Sequence, residues 1–186
     1  MKKLLLLLTL TLAAAMADGQ ITPTNVPRTY FDAFNVTRDA LLVRGMSTIG
    51  TLNNQITYPV EIRAERLTNL QTTNSVYAVS LRTKVDQQIQ IDYIDYDELD
   101  ALIRSVPTIS QANNTITPMD NFEAVFRTRS GLSILKIVKG NKATITMTSG
   151  DVNGVHNPMA PFVLDDLGRY LTAAKAKLDA LAAAGQ

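Results

Sequence analysis

Between Asn121 and Thr148 the chain alternates with a period of two. Phe122, Ala124 and Phe126 fall on one side of an extended segment, and Glu123, Arg127 and Arg129 on the other. That is the pattern of a half-buried strand. Ser130-Gly131 and Gly140-Asn141 interrupt it with residues that tolerate positive φ, so Leu132–Lys139 and Lys142–Thr148 are predicted to complete a three-stranded meander. In the last of these strands Ala143, Ile145 and Met147 oppose Lys142, Thr144, Thr146 and Thr148.

The same period recurs upstream. Ile56–Leu67 places Ile56, Tyr58, Val60, Ile62 and Ala64 opposite Pro59, Glu61, Arg63 and Glu65. Pro59, which has no N–H for a ladder, marks an edge or a bulge. Ser75–Val85 alternates next, and in Gln88–Ile94 the residues Ile89, Ile91 and Tyr93 are predicted to face inward. Arg28–Arg44 fits two patterns: a helical face of Tyr30, Phe31, Phe34, Ala40, Leu41 and Leu42, or a strand over Ala40–Met46.

Twice the period lengthens. Leu99, Leu102, Ile103 and Val106 mark one face of a short helix, with Asp97 at its N-cap, Glu98 and Asp100 in its first turn, and Pro107 at its expected end. Leu167, Tyr170, Leu171, Ala174, Leu178 and Leu181 form a longer stripe. Three strands and a helix therefore precede three strands and a helix, although the two halves share no residue-level repeat. The predicted fold is α+β: a twisted or partly closed antiparallel sheet of six to seven strands, built from two meanders and covered by two amphipathic helices.

The first residues follow a different logic. Lys2-Lys3, the apolar run Leu4–Leu12 and Ala15-Met16-Ala17 match a basic, then apolar, then small-residue leader, with cleavage expected after Ala17. The run is shorter than the roughly 20 residues that a spanning helix needs. Met1–Ala17 is thus assigned as a signal peptide, Asp18–Pro27 as a flexible polar arm, and residues 28–186 as one domain without a membrane-spanning segment. Export, to the periplasm or beyond, is the expected localisation. Cleavage would remove Lys2, Lys3 and no acid, turning the formal charge of +1 into −1. So balanced a chain lacks the basic excess of a nucleic-acid binder. With no cysteine, disulfides, thiolate metal sites and cysteine nucleophiles are excluded.

Candidate chemistry is sparse. Asp92, Asp95, Asp97, Glu98 and Asp100 crowd one strand-to-helix junction, but no glycine follows at the position a calcium loop requires, and helix capping accounts for the acids. His156, the only histidine, sits in a glycine- and proline-bearing loop near Ser149 and Asp151. No short catalytic motif is present, and neither a cofactor nor a metal site is expected. Arg127 and Arg129, with Lys136, Lys139 and Lys142, form a candidate anion-binding face on the second meander. Tyr77, Tyr93 and Phe126 are candidate lining for an apolar cavity if the sheet curls without filling. The expected function is that of an exported, non-enzymatic binding protein whose partner is an envelope protein, a glycan or a lipid. The alternatives are a carrier of an apolar ligand and a motif-less secreted hydrolase.

Overall fold

The computed structural model describes residues 28–53, 58–85, 87–149, 156–159 and 161–185. The leader, the polar arm, Asp151 and the side chain of His156 lie outside the described part.

A short helix α1 (Tyr30–Asn35) opens the domain, capped by Thr29, whose hydroxyl accepts the Asp32 N–H at 2.9 Å. Four strands follow: β1 (Leu42–Leu52), β2 (Val60–Asn69), β3 (Ser75–Val85) and β4 (Gln88–Asp95). A 3₁₀ turn at Tyr96–Glu98 leads into α2 (Leu99–Gln111). The second half repeats the order with β5 (Asn121–Arg127), β6 (Ser133–Lys139), β7 (Lys142–Thr148), β8 (His156–Met159) and α3 (Pro161–Ala184).

The protein is α+β with antiparallel sheets, but the single sheet of six to seven strands is corrected to two open four-stranded sheets, β1-β2-β3-β4 and β5-β6-β7-β8. Each meander gains a strand. β1 resolves the ambiguity of Arg28–Arg44, which contains both a helix and the start of a strand. The helices exchange cover: α3 packs on β1, β2 and β3, α2 packs on β5 and β6, and the two helices pack on each other. One core therefore draws on both sheets, joining Ile62, Val79 and Ile94 to Ile134, Met147, Leu167 and Leu171. Gly50 makes this contact close, because a Cβ there would collide with the ring of Tyr170 on α3.

Three expectations about these elements change. Helix α2 runs through Pro107 to Gln111. Pro107 is exposed, whereas Val106 and Ile109 beside it are buried, so the lost ladder bond falls on the wet side and packing carries the helix onward. In β4 the inward residue is Ile94, opposite Val79; Ile89 and Ile91 stay exposed, and Tyr93 turns to the opposite face. The odd positions of β4 are held outward by Asp95, which binds the N-terminus of α1, and in a strand one such anchor sets the face of every other residue. Glu65 was expected on the solvated face, yet it is 2% exposed. Helix α1 lies over that face and builds a second small core from Phe31, Leu67 and Ala78, with Phe31 stacked on Tyr93 at 4.8 Å. Beneath it the Glu65 carboxylate accepts the Ser80 hydroxyl, and Arg44 sits 3.6 Å from its other oxygen.

Candidate functional site

The acidic junction is an internal tie. Arg129, in the turn between β5 and β6, donates to Asp95 at 2.5 Å and to Asp97 at 2.9 Å, while its backbone N–H donates to Glu98 at 2.6 Å. Its guanidinium also lies over the Tyr30 ring, 4.3 Å from the centroid. The hydrogen bond from Arg129 holds the Asp97 carboxyl below the usual aspartate range, outweighing the burial that opposes it. Asp95 completes the tie by accepting the N–H groups of Tyr30 (2.8 Å) and Phe31 (3.0 Å). Two sheets and α1 thus meet on one arginine. Asp100 instead lies 3.6 Å from Lys175 on α3. Among the described residues, no three His, Cys, Asp or Glu side chains are grouped to hold a metal ion.

The candidate anion-binding pair is consequently split. Arg129 is occupied by carboxylates, and Arg127 stands exposed at the end of β5. Lys136 is removed from that face as well. Its strand position points it inward, where Nζ donates to the carbonyls of Ser110 (2.6 Å) and Ala112 (2.7 Å) at the C-terminus of α2.

The candidate apolar lining separates too. Tyr77 faces the main core and packs near Tyr96, whereas Tyr93 lies on the other face of the same sheet, beneath α1. Burial among apolar neighbours raises the Tyr93 phenol above its ordinary range. Phe126 belongs to the other sheet. The three therefore do not share one sheet face.

Phe126 does line a groove, of about 330 Å³, between α2 and β5. Ile109 and Ala112 form its helix wall, and Phe122, Ala124 and Phe126 its strand wall, with Ser105 and Thr108 adding small polar groups. A second hollow of about 310 Å³ shares Ala112 and Phe122, and extends the depression toward Asn141 and Lys142.

The strand wall is also a sheet edge, since β5 is the first strand of its sheet. Two bonds bracket the β5–β6 ladder: Thr128 N–H to the Leu132 carbonyl at 2.9 Å, and Gly140 N–H to the Asp120 carbonyl at 3.0 Å. Bonded pairs recur at every second residue of an antiparallel ladder, so Phe122, Ala124 and Phe126 direct their main-chain groups at β6. Those of Glu123, Val125 and Arg127 point away, along the open edge. An apolar trough and a row of N–H and C=O groups without a backbone partner among the described residues therefore run side by side.

The α2 wall and Val125 escaped sequence reasoning, because an edge exists only once strand order is known. Alternation in Asn121–Arg127 marked the strand but not its neighbours. The chain matches no protein-family model, no curated protein and no solved structure.

Proposed function

We propose that this chain is an exported, non-enzymatic interaction protein that receives an extended polypeptide segment along the β5 edge. The open edge beside an apolar groove carries this reading. Its outward N–H and C=O groups, unpaired among the described residues, alternate along the strand, and another polypeptide strand is the ligand that satisfies both while setting every second side chain into the trough. Export rests on the leader pattern of Met1–Ala17. A non-enzymatic role is supported by the acids: Asp95, Asp97 and Glu98, the densest carboxylates of the chain, are engaged by Arg129. Among the described residues, no helix is long and apolar enough to cross a membrane.

Val125→Pro tests the site. The Val125 N–H faces the open edge, so proline there removes no bond to β6, and stability should stay within about 1 kcal/mol of the parent. A random-peptide display library panned against the parent should yield extended, alternating apolar binders that the variant binds roughly tenfold more weakly or not at all. Binders indifferent to Val125→Pro, or none from the parent, would sink the proposal.

The aliphatic and aromatic lining of the groove favours a second reading, a lipid or other apolar ligand carried there. Native mass spectrometry of protein taken from its own host without detergent distinguishes it. Bound mass that extracts into organic solvent, and is lost with Ile109→Arg, would support the carrier.

A further inference from the structure

We infer that the strand seated on the β5 edge is β5 of a second copy of this chain, paired antiparallel about a two-fold axis at Val125. The inference rests on the strand-addition reading above and names its partner. The sequence Asn121–Arg127 complements itself. With Val125 facing its own counterpart, Glu123 lies directly opposite Arg127 of the second copy, and Arg127 opposite its Glu123. The two ion pairs are symmetry copies of one contact, and both fall on the outer face.

Each chain leaves these two charges unspent. On β6, Glu123 faces Ile137 and Arg127 faces Ser133, and among the described residues neither forms a salt bridge. On the groove side the same register sets Phe126 against Ala124 of the second copy, so large meets small in each pair. The groove's helix wall presents Ser105, Thr108 and Ala112, side chains short enough to admit that ring. Val125, 45% exposed in the single chain, becomes the centre of the seam.

Other registers do not pair the two charges. An antiparallel seam keeps the odd-numbered, outward-pointing residues opposite one another, so its two-fold axis passes through a bonded odd-numbered pair or a non-bonded even-numbered one. Centring on Glu123 opposes two glutamates, and centring on Arg127 opposes two arginines. Like charges directly opposite destabilise a strand pair, and centring on Phe122, Ala124 or Phe126 does not bring Glu123 opposite Arg127, so Val125 is the centre that pairs both charges. The resulting seam joins two four-stranded sheets into one of eight.

Sedimentation equilibrium of the mature protein at neutral pH and low salt should show a monomer–dimer equilibrium. Glu123→Arg and Arg127→Glu should each weaken it roughly 10- to 100-fold, because two attractions become two repulsions. The double variant Glu123→Arg/Arg127→Glu should restore dimerisation close to the parent's. Circular dichroism of all three checks that folding is unchanged; a single variant that fails to fold is replaced by Glu123→Gln or Arg127→Gln, each expected to weaken association less. A parent that stays monomeric at millimolar concentration, or a double variant no better than the singles, overturns the inference. A monomer that still yields library peptides sensitive to Val125→Pro would leave strand addition standing with a different partner, whereas a monomer without such peptides would end both.

Discussion

Asp95→Ala should lower the unfolding free energy by about 4 kcal/mol, whereas Asp97→Ala, which strips the same arginine of a partner, should cost only about 0.5 kcal/mol. The two carboxylates differ in burial. The Asp95 side chain is 3% exposed and the Asp97 side chain 54%. Asp95 alone also terminates α1, by accepting the N–H groups of Tyr30 and Phe31. Its removal strands the buried N–H of Phe31 and the part-buried N–H of Tyr30, and loosens the lid over Phe31, Leu67 and Ala78. Arg129 retains Asp97 and Glu98, which keeps the loss in the middle of the range for a broken buried pair.

Urea unfolding of both variants at neutral pH measures the contrast, and equal costs would refute the assignment of Asp95 as the buried anchor. Hydrogen exchange supplies a second readout, since the amides of α1 should lose protection in Asp95→Ala and keep it in Asp97→Ala. The pH dependence follows from the direction of the Asp97 shift. Its folded carboxyl titrates below the unfolded one, so the unfolded chain takes up the proton first as pH falls. The stabilisation is complete above the ordinary aspartate value of about 3.9 and is lost as pH falls through the lower, folded one. Asp97→Ala should flatten that part of the acid limb.

Much of the fold was visible in local periodicity, and the exceptions share one cause. Val60, Ile62 and Ala64 on β2, Leu99, Leu102 and Val106 on α2, and Leu167, Leu171 and Leu178 on α3 all face the core as their spacing implies. Glu65 and Asp95 are the opposite case. Each is a charged residue in a strand, a pattern that indicates a wet face. Both are buried because α1, at least 30 residues upstream in sequence, folds over them, and no window around either residue contains that fact. Arg129 looked free for the same reason: its carboxylates lie more than 30 residues away, at the end of β4 and in the turn that follows it. The site divided along the same line. Phe126 was found from its strand face, while Ile109 and the open edge at Val125 depend on which helix covers which sheet. Amphipathicity shows that a helix has an apolar face, but not what that face meets.

That exchange of helices carries the largest expected effect. A fragment of residues 28–114 keeps β1 to β4 and α2 but loses α3, the helix that covers its sheet. Val60, Ile62, Val79, Leu81 and Ile94, all at most 2% exposed in the whole chain, would then face water. At about 1.5–3 kcal/mol for each buried aliphatic side chain, uncovering that face forfeits on the order of 10 kcal/mol, comparable with the whole stability of a domain. Residues 115–186 suffer the mirror loss, because β5 and β6 are left without α2 and α3 without β1 to β3. Neither fragment should melt cooperatively or show dispersed amide resonances alone. Mixed in equal amounts they should recover both, since each supplies the helix that the other's sheet lacks. A cooperative melt from residues 28–114 by themselves would mean that α2 can turn back onto its own sheet, and the two halves would then be independent units rather than one core closed by exchanged helices.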